Sequence, residues 1–133
     1  MSKFSPIILI VEDEALLSST LKTKLEQDSS YHVVVVDNGQ DVLETAKTEH
    51  PDLILLDILL PKMDGFAVLQ ALKSDPDTES VPVVMLSNLG EPNDMDRAVA
   101  EGAVAYLVKS NVDPGVIVQQ VKKYINIFAK DES

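Results

Sequence analysis

Short, continuous apolar runs alternate with segments that carry a helical apolar stripe along nearly the whole chain, and this alternation limits the choice of fold. The runs are rich in Val, Ile and Leu, and they lie at 7–11, 32–36, 53–56, 83–86 and 105–108. Between them apolar residues recur at helical spacing, as Leu17, Leu21 and Leu25 do. Strands without polar alternation are typical of parallel sheets buried on both faces. The pattern predicts an α/β fold with a doubly wound, five-stranded parallel sheet built from five βα units.

The acidic composition excludes several kinds of partner. The 133 residues, 45% of them hydrophobic, fit a single domain over 1–133 with a core at about 7–128. With 22 acidic and 11 basic residues, the net charge is −11. Binding to nucleic acid or to an anionic membrane depends on Lys and Arg, so we expect neither direct nucleic-acid binding nor membrane insertion.

The cellular compartment can be inferred from three features that the sequence lacks: cysteine, a membrane span and a signal peptide. There is no cysteine, which excludes disulfides and thiolate zinc sites and fits a reducing environment. No apolar run approaches the roughly 18 residues of a membrane span. The opening MSKFSPIILIVEDE lacks the features of a signal peptide. We therefore expect a cytoplasmic protein.

Polar residues cluster where the predicted strands end. In doubly wound sheets ligands bind outside the carboxyl ends of the strands. The residues at these ends, in chain order, are Glu12 with Asp13, Asp37, Asp57, Ser87 with Asn88, and Lys109. We expect several carboxylates, a hydroxyl and a lysine to converge on one edge of the sheet.

This set suits phosphoryl transfer at a carboxylate. Charged side chains are rarely buried unless paired, and Asp57 interrupts the apolar run DLILLDILL. Clustered carboxylates repel one another, and a magnesium ion with its preference for hard oxygen ligands relieves the repulsion. An aspartate can act as a nucleophile and form an aspartyl-phosphate. Lys109 would neutralise phosphoryl oxygens, and the Ser87 hydroxyl would donate to one of them.

Each residue taken alone also has a structural interpretation. Glu12 and Asp13 could be a solvated strand exit, with Asp13 capping a helix. Ser87 could be a cap or turn residue, and Lys109 a surface lysine. The argument for chemistry depends on the whole set, because each member falls at a strand's carboxyl end.

Four motifs together resemble the receiver domain of two-component response regulators. They are LIVEDE at the first strand, LILLDILLPKMDG at the third, MLSN at the fourth and AYLVKS at the fifth. The resemblance runs from about Ile7 to Phe128. It implies a flavodoxin-like fold with strand order 2-1-3-4-5 and a stand-alone receiver domain.

The resemblance also assigns roles to residues. It implies that Asp57 is the phosphoacceptor and that Mg²⁺, with Mn²⁺ as a substitute, is held by the carboxylates and a backbone carbonyl. It implies a switch hydroxyl and a coupled aromatic ring, although an aromatic at a strand end can equally be packing. The implied residues are Glu12, Asp13, Asp57 and the Leu59 carbonyl for the metal, Ser87, Tyr106 and Lys109 for the phosphoryl contact and switch, and Pro61, Gly65 and Asn88 for loop support.

The sequence departs from the family pattern at a few positions. Ser110 stands where the family usually has a proline, and Asn88 replaces a small residue. Leu59 and Leu89 are apolar at positions that influence access of the hydrolytic water in the family. From these two leucines we predict a long-lived phosphoryl group.

The resemblance implies a switch that is not an enzyme beyond its own phosphotransfer and autodephosphorylation. A histidine kinase or phosphotransfer protein would supply the phosphoryl group, and an unidentified downstream protein would read the changed surface. We expect a monomer, with dimerisation on phosphorylation as a family option. The alternatives are a phosphorylation-independent adaptor and a receiver fragment of a longer regulator. A phosphatase of the haloacid dehalogenase type is disfavoured, because Leu59 occupies the position of its second aspartate.

Overall fold

A five-stranded parallel sheet organises the chain in the computed structural model, which describes residues 5–28, 31–60, 63–87, 92–109 and 113–128. The strands are β1 (Ile7–Val11), β2 (His32–Val36), β3 (Leu53–Asp57), β4 (Leu59–Leu60), β5 (Met63–Asp64), β6 (Val83–Ser87) and β7 (Ala105–Val108). The helices are α1 (Ala15–Asp28), α2 (Val42–Glu49), α3 (Gly65–Ser74), α4 (Pro92–Ala100) and α5 (Pro114–Phe128).

The order of strands in the sheet confirms the expected topology. The main sheet runs β2-β1-β3-β6-β7, and every neighbouring pair is parallel. Counted in chain order among the sheet strands alone, this is 2-1-3-4-5. Strand β3 lies in the middle of the sheet, so its last residue, Asp57, emerges at the centre of the carboxyl edge.

Two apolar layers bury the two faces of the sheet. One layer joins alternate residues of the strands to α2, α3 and α4, and includes Val42, Phe66 and Leu69. The other joins the opposite faces of the strands to α1 and α5, and includes Leu21 and Val121. Burial on both sides explains why the strands read as continuous apolar runs.

A short antiparallel pair follows β3 and was not expected from the sequence. Leu59 and Leu60 of β4 pair with Asp64 and Met63 of β5. The pair returns the chain to the end of β3, where the Gly65 amide donates to the Ile58 carbonyl over 2.7 Å. Helix α3 therefore begins directly against the backbone that carries Asp57.

Helix α4 packs shallowly on the sheet. Met95, Ala98 and Val99 recur at helical spacing, and only Ala98 of the three is buried. The helix lies against β7 at the sheet edge, which leaves much of its surface in solvent. The Arg97 guanidinium lies 4.2 Å from the centre of the Phe66 ring and links α4 to α3.

None of the helices in the described ranges combines the length and the apolar character needed to cross a bilayer.

Candidate functional site

Asp57 is a buried carboxylate with two contacts that account for its burial. Its side chain closes β3, and the residue is 2% exposed. Oδ1 accepts a hydrogen bond from the Leu59 amide at 3.2 Å, and Oδ2 lies 3.1 Å from the Lys109 ammonium. A buried charge is tolerated when it is paired and hydrogen-bonded, and Asp57 meets both conditions.

Glu12 shares the same lysine. It follows β1, is 1% exposed, and its amide donates to the Val36 carbonyl at 3.0 Å. The Lys109 ammonium lies 3.1 Å from Oε1 and 3.2 Å from Oε2 of Glu12. One cation therefore bridges two buried carboxylates at the ends of the neighbouring strands β1 and β3.

The surroundings of Glu12 and Lys109 shift the pKa of both groups. Burial and the nearby charge of Asp57 raise the pKa of Glu12 to about 7, although the Glu14 amide and Lys109 oppose the rise. Burial opposes the charge on Lys109, but the carboxylates of Asp57 and Glu12 outweigh it and raise the pKa of Lys109. Lys109 therefore lowers the pKa of Glu12 by less than burial and Asp57 raise it.

Asp13 completes a group of three carboxylates. Glu12, Asp13 and Asp57 each present an oxygen, and these oxygens all lie within 4.8 Å of one another. Two of the carboxylates are buried and Asp13 is exposed, so the group opens to solvent on one side. Hard oxygen donors, surplus negative charge and an open side fit a magnesium-like cation that keeps part of its water shell.

Ser87 lies on β6, next to β3, and Tyr106 lies on β7, at the edge of the sheet. Ser87 ends β6, is buried, and is paired in register with Val108, the residue before Lys109. Tyr106 is partly buried on β7 and packs against the apolar layer that contains α3 and α4. The serine hydroxyl is thus held at the same edge of the sheet as the carboxylates.

Comparisons with known proteins identify the family. A sequence profile described as the response regulator receiver domain matches residues 8–122. The chain belongs to the response regulator receiver domain family. This places it in two-component signalling, which is controlled by phosphorylation.

The curated relatives of this receiver domain are longer proteins. The probable transcriptional regulator ycf27 of Pyropia yezoensis is 39% identical over 102 residues, which cover 77% of this chain and 40% of the relative. The transcriptional regulator RpaA of Synechocystis is 39% identical over 104 residues, which cover 78% of this chain and 43% of the relative. The chain spans about two fifths of the length of these relatives.

Solved structures match over nearly the whole receiver domain. The signal receiver domain of a histidine kinase from Syntrophus aciditrophicus has a TM-score of 0.82 at 34% identity, covering 97% of this chain and 96% of that one. The phosphorylated cyanobacterial phytochrome response regulator RcpA has a TM-score of 0.78 at 29% identity, with 98% of each chain covered. The Mn²⁺-bound form of response regulator Rcp1 has a TM-score of 0.74 at 27% identity, with 96% of each chain covered.

The remaining expected site residues divide into two groups. The side chain of Leu59 is 59% exposed beside the acids, and no described contact tests its carbonyl as a ligand. Gly65 opens α3 in close contact with the end of β3. Pro61 and Asn88, together with Ser110 and Leu89 at the departures from the pattern, lie outside the described residues.

Sequence reasoning missed how directly Lys109 pairs with Glu12. We had expected the lysine to serve the phosphoryl group and the glutamate to serve the metal. Residues 97 positions apart carry no spacing signal, and their strands are not neighbours in the sheet. The only available clue was the buried acid pair, which requires a cation near it.

Proposed function

We propose that Asp57 accepts a phosphoryl group and that the receiver domain is a switch controlled by this modification. The observation that carries the proposal is the placement of the Asp57 carboxylate. It lies at the centre of the sheet edge, within 3.1 Å of Lys109, among acidic oxygens that lie within 4.8 Å of one another.

The chemistry is a phosphoryl transfer that this chain's residues position. An oxygen of Asp57 attacks the phosphorus of a phosphohistidine, the P–N bond breaks and an acyl phosphate forms. Lys109 already contacts Asp57, so its ammonium is placed to neutralise the oxygens of the incoming group. In a separate hydrolysis step, water attacks the phosphorus, the bond between phosphorus and the Asp57 oxygen breaks, and phosphate leaves with the Asp57 carboxylate restored. We propose no turnover of an external substrate.

We further propose that Mg²⁺, or Mn²⁺ in its place, is held by Glu12, Asp13 and Asp57 with the Leu59 backbone carbonyl. A bound divalent cation supplies charge neutralisation for the transferring phosphoryl group. The carboxylate group supports this assignment, and the solved neighbour Rcp1 has a Mn²⁺-bound form.

The proposed donor is a histidine kinase or a phosphotransfer protein. We propose that Ser87 and Tyr106 respond to the phosphoryl group and change a surface near α4, β7 and α5, where a downstream protein binds. The exposed apolar residues Met95 and Val99 of α4 support a surface of this kind. The absence of cysteine from the sequence supports a cytoplasmic place of action for this switch.

Intact mass after incubation with acetyl phosphate and Mg²⁺ tests the proposal. We expect one phosphoryl group on the parent protein and none without Mg²⁺. The Asp57→Asn variant should gain no phosphoryl group under the same conditions. A phosphorylated Asp57→Asn variant, or an unmodified parent that also fails to bind beryllofluoride, would overturn it.

A further inference from the structure

Strand β2 lies at one edge of the sheet. Along its outer side, the backbone of one outward-facing residue is hydrogen-bonded by side chains, and the backbone of the next outward-facing residue is open. The His32 amide donates inward to the Pro6 carbonyl, and the Val36 carbonyl accepts inward from the Glu12 amide. Val33 faces outward, where its amide donates to Glu26 at 3.2 Å and its carbonyl accepts from Lys22 at 3.0 Å. The two side chains of α1 thus take the place of a neighbouring strand at Val33.

Val35 faces outward as well, because backbone direction alternates along a strand. Lys22 and Glu26 cap the backbone of Val33, but no side chain in the described part of the chain caps Val35 in this way. The Val35 side chain is 37% exposed. The edge therefore offers one amide and one carbonyl to an added strand.

An acidic groove runs beside this open position. The groove has a volume of about 510 Å³ and lies between the end of β2 and one side of α2. Its carboxylates are Asp37, Asp41, Glu44 and Glu49, and no Lys, Arg or His lines it. None of these four acids forms an ion pair with another described residue. The Asn38 amide donates to both Asp37 and Asp41 at 3.1 Å and holds those two carboxylates side by side.

The distribution of charge favours an elongated cationic ligand over a metal ion. Among the described residues, three carboxylates converge within 4.8 Å only at Glu12, Asp13 and Asp57. The acids of the groove are instead spread out: Asp37 and Asp41 precede α2, and Glu44 and Glu49 lie on it. The helix has eight residues and is therefore about 12 Å long. An extended chain advances about 3.3 Å per residue, so about four residues span the groove and two side chains face it.

We propose that the β2–α2 groove binds an extended segment of a partner protein that carries Lys or Arg at alternate positions. The segment pairs its backbone with Val35 as an added strand, and its basic side chains contact the acids of the groove. The surface is separate from the carboxylate site at Asp57 and does not depend on phosphorylation.

The probe is the peptide acetyl-Lys-Val-Arg-Val-Lys-Val-amide, titrated into the full chain labelled with ¹⁵N in the presence of Mg²⁺. We expect amide shifts at 33–36 and along α2, with weaker binding as salt is raised. An otherwise identical peptide, N-methylated at alternate residues so that it cannot pair with the edge, should bind more weakly. A peptide with Glu in place of Lys and Arg should not bind.

A pair of double variants separates the groove from general charge attraction. Glu44→Gln with Glu49→Gln should weaken binding about fivefold, the loss expected for two exposed ion pairs. Asp77→Asn with Asp96→Asn removes the same charge from exposed positions elsewhere and should leave affinity nearly unchanged. Each of four results would overturn the proposal. Both double variants could weaken binding equally, or the N-methylated peptide could bind as tightly as the probe. Ca²⁺ alone could produce the same amide shifts, or the probe could fail to bind.

Discussion

Replacing Gly65 with alanine tests the contact between α3 and the strand that carries Asp57. An added Cβ would lie 2.5 Å from Ile58 Cα, 2.6 Å from the Asp57 carbonyl oxygen and 2.7 Å from the Ile58 carbonyl oxygen. Carbon atoms in ordinary contact are about 3.5–4.0 Å apart, so the two segments must separate by about 1 Å. All three neighbours are backbone atoms and cannot rotate away. The separation also stretches the 2.7 Å hydrogen bond from the Gly65 amide to Ile58.

The magnitude follows from these two losses. Overpacking costs about 1–3 kcal/mol and a lost hydrogen bond about 0.5–1.5 kcal/mol, so Gly65→Ala should lower the free energy of unfolding by about 2–4 kcal/mol. For a domain of this size that corresponds to a melting temperature lower by roughly 10 °C. Because the displaced backbone belongs to Asp57, phosphorylation by acetyl phosphate should also slow.

Urea unfolding followed by circular dichroism measures the effect, with Gly115→Ala as the matched control. At Gly115, in the first turn of α5, the nearest atom to an added Cβ is an Asp113 carboxylate oxygen at 3.7 Å, an ordinary contact. That variant should be more stable by about 0.5–1 kcal/mol, since alanine restricts the unfolded chain. Equal stability of the two variants would refute the packing argument for Gly65.

Three further changes probe other parts of the structure. Lys109→Met leaves Glu12 and Asp57 without their shared cation. In urea unfolding without metal it should lower the free energy of unfolding by roughly 3 kcal/mol, and an unchanged midpoint would contradict the pairing. Thr78→Val removes a buried hydroxyl that donates to the Leu72 carbonyl, and Thr20→Val removes a similar bond to Leu16 at the exposed surface. Thr78→Val should lower the free energy of unfolding by about 1–2 kcal/mol more than Thr20→Val, and equal losses would refute this. In metal-free solution, native Glu12 binds its proton more tightly than unfolded Glu12. The free energy of unfolding should therefore fall by up to about 1.4 kcal/mol per pH unit as the pH rises from 4.5, the ordinary pKa of a glutamate, towards 7. Glu12→Gln should remove that part of the pH dependence, and an unchanged profile would count against the raised pKa.

The sheet and the edge that carries the site could be predicted from sequence for a physical reason. Strands buried on both faces read as continuous apolar runs, and parallel strands bring their carboxyl ends to one edge. Asp57, Glu12 and Lys109 were therefore predicted to converge before any distance was known. The order of strands came from the family resemblance, because periodicity does not specify which strands are neighbours.

Other features depend on tertiary contacts that leave no local signal. The bridge from Lys109 to both Glu12 and Asp57 requires three strands to be in register. The β4–β5 pair depends on how the chain returns to β3. The exposure of Val99 depends on the position of α4 at the edge of the sheet, because helical spacing alone indicates an apolar face but not what covers it.

Mapping the modified residue tests the central claim most directly. After phosphorylation with acetyl phosphate and Mg²⁺, borohydride reduces a phosphorylated aspartate to homoserine, and peptide mass spectrometry locates it. We expect homoserine at position 57 and unmodified residues at positions 12 and 13. Reduction at Asp13 or Glu12 with position 57 unchanged would contradict it and would make the buried carboxylate a structural partner of Lys109.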